Sequence, residues 1–186
     1  MPSIFYLTRN GLLEPLGQSQ VMGYLKGLSE DYQITLITFE KPEDLADTQA
    51  MAKANADCEA HGIDWRPKRF RRRPRLIAPA WSMFEMFWSA LQAARRGEAQ
   101  LIHARSYLPA AASWTVFRLT GTPFIFDMRA LWPEELITAG SLQRGSIIHR
   151  ALTYLEKVCL RDAAAVVSLT DAAVGYLQDQ YPTELQ

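Results

Sequence analysis

Six polar residues follow three short apolar runs in this sequence. A carboxylate can accept hydrogen bonds from sugar hydroxyls, and a guanidinium group binds phosphate oxygens with its planar fork of donors. Side chains of this kind could therefore bind a hydroxyl-rich, anionic ligand if the fold brings them together. They are Arg9 and Asn10, Arg105 and Ser106, and Asp127 and Arg129.

A spacing of two residues recurs in "LIHAR" and "FDMR". Because side chains alternate along a strand, His103 and Arg105 share one side, and so do Asp127 and Arg129. A histidine inside a strand is more often a core residue than a base, so His103 is only a candidate substrate-binding residue. Asp127 and Arg129 either pair with each other or bind a ligand, Asp127 accepting hydroxyls and Arg129 donating. Arg105 and Asp127 are the candidate catalytic residues.

The elements that would position these groups alternate regularly. Short β-branched or aromatic runs, separated by stretches of helical period, predict a Rossmann-like, doubly wound, mainly parallel α/β sheet. Such sheets bind ligands beyond the carboxyl ends of their strands, where the strand order reverses, so we expect the polar groups to converge there. The alternative is that βα loops are polar because they are exposed. The predicted strands are 4–7, 34–39, 63–66, 101–104, 124–126 and 164–169, and the predicted helices are about 18–30, 43–61, 76–96, 108–120, 143–162 and 170–179.

The segment after the first strand, "TRNGLLEPLGQSQ", is too long for a simple βα turn. Gln18 or Ser19 could cap a helix whose free N–H groups face the sheet edge and bind an anion or a sugar hydroxyl. A plain structural loop is the alternative. A G-x-G-x-x-G fingerprint and a P-loop are both absent, and Glu40 only comes near the acidic position of an NAD site, so a dinucleotide site is not expected.

Other chemistries find little support. There is no G-x-S-x-G elbow, and the three histidines do not cluster with acids at metal spacing, so neither hydrolysis nor a metal site is predicted. Cys58 and Cys159 belong to no cysteine motif and indicate free thiols. The N-terminus has no basic leader and its apolar run ends early, so we expect one cytoplasmic domain over 1–186.

Positive charge is concentrated in "WRPKRFRRRPR", which holds seven of the 20 Lys and Arg residues and no acid. A helix follows in which Trp81, Phe84 and Trp88 form a seam beside a narrow polar stripe, with an apolar arc wider than one core face needs. Three interpretations remain: an anchor on an anionic membrane, a solvated basic loop beside a core helix, and a nucleic-acid site. The candidate membrane-binding residues are Arg69, Arg71, Arg72, Arg73, Trp81 and Trp88.

Four stretches together resemble the N-terminal half of a family 4 (group 1) glycosyltransferase of the GT-B architecture. "EPLGQSQ" and "DMRALWPEE" are the more specific pieces, "LIHARSYLPAAAS" and "YLEKVCLRDAAAVVSLTDAAVGYL" complete the order, and the resemblance covers essentially all 186 residues. It implies an acceptor-side Rossmann-like domain whose donor-binding C-terminal partner lies outside this chain. The chain alone is then expected to be inactive.

The resemblance also implies a chemistry. A glycosyl group would pass from a nucleotide-sugar to a lipid-linked or polysaccharide acceptor with retention of configuration, without a cofactor, at the inner membrane face. Gly17 and its neighbours would face the donor phosphates, although Gln18 replaces a second glycine, and Arg105 stands where several relatives have a histidine. The rival interpretations are a non-catalytic binding or interaction module and a nucleic-acid-binding domain.

Overall fold

The computed structural model describes residues 1–71 and 77–184, without the side chains of Ile77 and Pro79. Six parallel strands form one sheet in the order β3-β2-β1-β4-β5-β6, with helices on both faces. The strands are β1 Ser3–Thr8, β2 Gln33–Glu40, β3 Ile63–Arg69, β4 Leu101–Arg105, β5 Phe124–Met128 and β6 Ala165–Ser168. The predicted doubly wound sheet is confirmed.

The helices follow the predicted alternation, with local differences that have side-chain causes. The stretch predicted as one helix over 43–61 is two, because the Asp47 carboxylate accepts a hydrogen bond from the Ala50 N–H and starts a new helix. A π-helical segment, Gly17–Met22, runs directly into α1. The helices are α1 Gly23–Leu28, α2 Pro42–Ala46, α3 Thr48–Ala60, α4 Ile77–Arg95, α5 Tyr107–Thr120, α6 Trp132–Thr138, α7 Ile147–Asp162 and α8 Asp171–Gln180.

The sheet order reverses between β1 and β4, and this is the point that positions the site. Thr8 at the end of β1 is in register with Arg105 at the end of β4, and Arg105 is in register with Asp127 of β5. Two apolar clusters, one on each face, bury the strands; Phe5 and Leu7 point into one, and Tyr6 and Leu36 into the other. Because both faces are covered, the central strands β1 and β5 are nearly continuous apolar runs, whereas β3 at one edge of the sheet alternates buried and exposed residues and β4 buries His103 in its middle.

Helix α4 presents its aromatic side chains to solvent. Its buried side is formed by small or flexible residues, including Ser82, Met86 and Ala90, and packs against α5. Trp81, Phe84 and Trp88, with exposed fractions of 44%, 52% and 47%, lie on the outer side. The seam expected from the sequence is therefore an exposed aromatic ladder, the name used below for these three residues, and Ser82 of the expected polar stripe is buried.

Cys58 and Cys159 are both buried and unpaired, as the sequence predicts. Burial raises the pKa of each thiol to about 12, which keeps them protonated and unreactive near neutral pH. Within the part of the chain that the structure describes, none of the helices combines the length and the apolar character needed to cross a membrane.

Candidate functional site

Asp127 lies at the centre of a charged cluster at the carboxyl end of β4 and β5. Its Oδ2 is 3.4 Å from His103 Nε2 and 3.9 Å from Arg105 Nη1, and its Oδ1 is 3.3 Å from Arg129 Nη1. Asp127, His103 and Arg105 are each at most 6% exposed, whereas the Arg129 side chain is 23% exposed. His103 and Arg105 lie on the same side, as their spacing predicts, and the predicted pairing of Asp127 with Arg129 is found. We call these four residues the Asp127 cluster.

The electrostatics of the cluster favour an ionised Asp127. Burial opposes ionisation, but the His103 hydrogen bond and the charges of Arg129 and Arg105 outweigh it and hold the pKa of Asp127 below its usual value. With one carboxylate facing two guanidinium groups, the cluster keeps surplus positive charge whatever the protonation state of His103. It is therefore suited to an anionic ligand.

His103 is enclosed by aromatic rings. Tyr6 stacks on the imidazole with the ring centroids 4.5 Å apart, and Tyr24 meets it edge-on at 5.7 Å. Burial raises the pKa of Tyr6 to about 12, although Arg105 works in the opposite direction, so the phenol is neutral at pH 7. His103 is thus held behind Asp127, and in this position it orients the carboxylate.

Gln20 contacts both arginines of the cluster, and the sequence did not predict it as a site residue. Its Oε1 accepts hydrogen bonds from Arg105 Nη2 at 2.6 Å and from Arg129 Nη2 at 2.8 Å. These contacts span 85 and 109 residues of chain, so no local pattern could reveal them.

A cleft of about 350 Å³ opens next to the cluster, between the segments that follow β1, β4 and β5. Arg9 reaches it with its guanidinium carbon 4.9 Å from the Phe70 ring centre, and Arg9 Nε is buried without a hydrogen-bond partner among the residues that the structure describes. Burial lowers the pKa of Arg9. The cleft therefore contains a cation with an unused donor. Its lining includes the predicted residues Arg9, Asn10 and Ser106, together with Glu14, Phe70, Tyr107, Leu108, Pro109, Ala130 and Trp132.

Ser106 connects β4 to α5 through a strained backbone. Its φ of 78° lies in the left-handed region, which costs a non-glycine residue about 1–3 kcal/mol. The strain is held by the Ser106 N–H, which donates to the Asp127 carbonyl at 2.8 Å, and by the Ser106 carbonyl, which accepts from the Ala110 N–H. The turn fixes Arg105 on one side and the first residue of α5, Tyr107, on the other.

Tyr107 is supported from behind by a buried carboxylate. Its hydroxyl donates to Glu156 of α7, which also accepts from the Tyr181 hydroxyl at 2.6 Å. Burial raises the pKa of Glu156, and the two phenol hydrogen bonds only partly offset this effect. The Tyr107 ring contacts Trp132, with the centroids 5.5 Å apart. Trp132, the first residue of α6, lines the cleft together with Tyr107.

The helix-capping role expected for Gln18 or Ser19 is wrong. The helical segment begins before both residues, at Gly17, and its start carries no side-chain cap. Gln18 Nε2 donates to the Leu12 carbonyl at 2.8 Å, and Ser19 Oγ donates to the Pro15 carbonyl at 2.8 Å. The free N–H groups that a capped helix would offer to a ligand are therefore not arranged as the sequence suggested.

Gly17 is buried against its own loop. A Cβ at Gly17 would lie 2.2 Å from the Gly11 carbonyl oxygen and 2.7 Å from that of Leu12. Only glycine permits this approach, because the neighbouring atoms are backbone and cannot move aside like a side chain. The glycine is thus explained by the folding of the segment between β1 and α1.

Glu40 holds the same segment from the end of β2. It is fully buried and accepts hydrogen bonds from the N–H of Leu12 at 2.6 Å, the N–H of Leu13 at 3.3 Å and the Thr38 hydroxyl at 2.6 Å. Glu40, which lies near the acidic position of an NAD site in the sequence, is therefore engaged by hydrogen bonds within the protein itself.

The basic segment is described only in part. Arg69 ends β3, and exposed Arg71 places its guanidinium carbon 5.2 Å from the Trp81 ring centre, a cation–π contact. Arg72 and Arg73 lie outside the described residues. Within residues 1–71 and 77–184, no three His, Cys, Asp or Glu side chains come together as metal ligands.

A parallel sheet of this strand order, with helices on both faces, defines a Rossmann-like domain, and three crystal structures share the fold over nearly the whole chain. UGT89C1 of Arabidopsis thaliana complexed with UDP matches with a TM-score of 0.58 at 9% identity, covering 100% of this chain and 50% of that one. Anabaena Alr3699/HepE with UDP matches at 0.56 and 14%, covering 98% and 42%. The same protein with UDP and glucose matches at 0.52 and 12%, covering 97% and 50%.

A comparison with curated protein sequences gives no match. The model of the glycosyl transferase 4-like domain, by contrast, matches residues 17–184. The chain therefore belongs to that family, and its architecture is one half of a GT-B glycosyltransferase fold. It spans about half the length of the structures it resembles.

Proposed function

We propose that the chain is the acceptor-side domain of a retaining glycosyltransferase that moves a sugar from a nucleotide-sugar to a lipid-linked or polysaccharide acceptor. The observation that carries the proposal is the Asp127 cluster at the sheet reversal of a glycosyl transferase 4-like domain. The UDP in two of the structural relatives supports a nucleotide-sugar donor.

The residues have separate roles in this proposal. The bond from the anomeric carbon to the diphosphate oxygen breaks, a bond to the acceptor oxygen forms, and the hydroxyl proton leaves with the diphosphate. Arg9, Arg105 and Arg129 stabilise the negative charge on the leaving group, and donors of this kind contribute about 10²–10³-fold each. Asp127 accepts the hydrogen bond of the attacking hydroxyl and fixes its direction.

A second Rossmann-like domain would supply the donor half of the site. The relatives are about twice the length of this chain, and the Asp127 cluster lies at the edge of the sheet where ligands of such folds bind. The 186 residues alone are accordingly proposed to be inactive, and activity is expected once this domain faces its partner.

We place the enzyme on the cytoplasmic face of a membrane, held by the aromatic ladder and the basic segment. The three rings are spaced 6.1 and 6.3 Å apart and lie next to Arg71. An apolar groove of about 230 Å³, between α4 and α5 and including Met83 and Phe84, offers space for part of an acyl chain. Exposed aromatic rings beside cations are typical of surfaces that bind anionic lipid.

The transfer reaction is tested in the protein that joins this domain to its donor half. We expect Asp127→Asn to lower kcat about 100-fold with UDP-sugars while the variant stays folded, because acceptor positioning is lost. Leu119→Ala, which shortens an exposed side chain on the far part of α5, serves as the control. Product NMR gives the anomeric configuration. Inversion, or an Asp127→Asn enzyme as active as wild type, contradicts the proposal.

The membrane site is tested by co-sedimentation with vesicles of anionic phospholipid. We expect Trp81→Ala with Trp88→Ala to lower the bound fraction several-fold, and Leu119→Ala, which shortens an even more exposed apolar side chain elsewhere, to leave it unchanged. Equal binding of all three proteins would contradict the membrane proposal. A gel shift with RNA in parallel measures the nucleic-acid alternative, which predicts binding that depends on the arginines alone.

A further inference from the structure

The amide oxygen of Gln20 stands where two guanidinium groups converge. Arg105 Nη2 and Arg129 Nη2 both donate to Gln20 Oε1, at 2.6 and 2.8 Å. A guanidinium group can only donate, so the atom between the two arginines must be an acceptor. Arg105 and Arg129 therefore define one position that is suited to a hydrogen-bond acceptor such as an oxygen atom.

Both arginines also face the Asp127 carboxylate, which does not depend on Gln20. Arg105 is buried at the end of β4 and lies 3.9 Å from Asp127, and Arg129 donates to the same carboxylate at 3.3 Å. Asp127 thus attracts both guanidinium groups, by a hydrogen bond to Arg129 and at longer range to Arg105, but neutralises only one of their two charges. The point between them combines aligned donors with surplus positive charge, which favours an anionic oxygen over a neutral one.

Gln20 is a weak occupant of that point. It is neutral, exposed to solvent, and belongs to the π-helical segment Gly17–Met22. A phosphate oxygen adds the attraction of opposite charges to the hydrogen bonds and Arg–phosphate pairs are frequently bidentate, so it would outcompete the neutral amide. The side chain can rotate outward, since solvent lies beyond it, and π-helical turns are frequent at functional sites.

We propose that Arg105 and Arg129 form a subsite for one phosphate oxygen, and that Gln20 is an internal competitor which the substrate must displace. The inference rests on the proposed function and deepens it, because it fixes the phosphate contact at one oxygen between Arg105 and Arg129 and names Gln20 as the group that the phosphate displaces. Two substrates could supply that phosphate: the diphosphate of the nucleotide-sugar donor or the phosphate of a lipid-linked acceptor.

Calorimetric titration with inorganic pyrophosphate tests the subsite on the chain itself. We expect Gln20→Ala to bind pyrophosphate about threefold to tenfold tighter than wild type, since the competitor is gone. Gln20→Glu should bind at least about tenfold more weakly, since its carboxylate forms ion pairs with both arginines. Arg129→Gln should also bind about tenfold more weakly. Gln92→Glu and Gln92→Ala repeat the changes at an exposed position of α4 and should match wild type.

The remaining arms identify the source of the phosphate. Titrations with UDP and with geranyl phosphate are repeated on the Gln20 variants, and the probe whose affinity follows the pyrophosphate pattern is assigned to the subsite. Melting temperatures of all variants exclude unfolding as the cause of lost binding. If the Gln20 variants bind all three probes as wild type does, the proposal is overturned. Because no sugar transfer is measured, a failed transferase assay leaves this result standing, and the two proposals fail separately.

Discussion

Glu40 and Asp127 are buried carboxylates at the same edge of one sheet, and they have opposite kinds of partners. Glu40 accepts hydrogen bonds from two backbone N–H groups and the Thr38 hydroxyl, all of them neutral. Asp127 is surrounded by His103, Arg105 and Arg129. Burial is therefore common to both, and the difference lies in the charge of the donors.

The donors decide what each carboxylate can do. The backbone N–H groups that donate to Glu40 fix the path of the segment after β1. These donors are neutral and already engaged, so they offer no hydrogen bond or charge to a ligand. The arginines around Asp127 have several N–H groups each and need only some of them for the carboxylate. This difference in the donors is why we propose the Asp127 cluster, and not Glu40, as a ligand site.

The largest effect is expected for Glu40→Ala. The substitution removes the acceptor of the buried Leu12 N–H, the half-buried Leu13 N–H and the buried Thr38 hydroxyl, at about 1–3 kcal/mol for each buried group, so we expect the free energy of unfolding to fall by about 4 kcal/mol. Urea denaturation measures the loss. Glu30→Ala, at an exposed position, should change the free energy by less than about 0.5 kcal/mol. If Glu40→Ala and Glu30→Ala lost similar amounts of stability, Glu40 would not have the structural role described here.

Gly17→Ala tests the same segment from the other side. The new methyl group would lie 2.2 Å from the Gly11 carbonyl oxygen, and moving the backbone aside should cost about 3 kcal/mol. The matched control is Gly23→Ala, where nothing lies within 4 Å of the added Cβ and helix propensity favours alanine by up to about 1 kcal/mol. Thermal unfolding should therefore move in opposite directions, and a Gly17→Ala melting temperature at or above that of wild type would contradict the packing described.

Asp127→Asn should cost about 2 kcal/mol at neutral pH, through weaker hydrogen bonds to charged donors. The native pKa of Asp127 is lowered, so its contribution is present above the unfolded pKa of about 4 and is lost as pH falls through the native pKa. Wild type should lose its advantage over the variant in that acidic range. A stability difference that stays constant with pH would show that the cations do not act on Asp127.

The part of this site that sequence predicts follows from strand geometry. The period of two put His103 beside Arg105 and Asp127 beside Arg129, and parallel strands bring their ends to one edge, so the Asp127 cluster could be expected. Gln20 could not, because its contacts depend on how the π-helical segment turns above the sheet. These are tertiary facts that no local pattern encodes.

The orientation of α4 was beyond sequence for a different reason. A helix that is apolar on most sides offers no periodic signal for which side faces the core. The small residues Ala78, Ser82 and Ala90 let α4 approach its neighbours closely, and this packing leaves the larger aromatic rings outside. The fold class was fully predictable because it depends on the order of elements, whereas rotation of one helix depends on side-chain volumes.

The smallest effect is expected for Glu156→Gln, and its pH dependence should have the opposite sign. The native pKa of Glu156 is raised by burial, so the folded state favours the protonated acid; the contribution is full below the unfolded pKa of about 4.3 and is lost as pH rises through the native pKa. Glutamine has no proton to lose, so the variant should gain on wild type as pH rises, by about 1 kcal/mol. Glu135→Gln on exposed α6 is the control. Denaturation at several pH values measures the free energy of unfolding of Glu156→Gln and of Asp127→Asn relative to wild type. If both differences changed with pH in the same direction, the cationic neighbours of Asp127 would not be what distinguishes the two carboxylates.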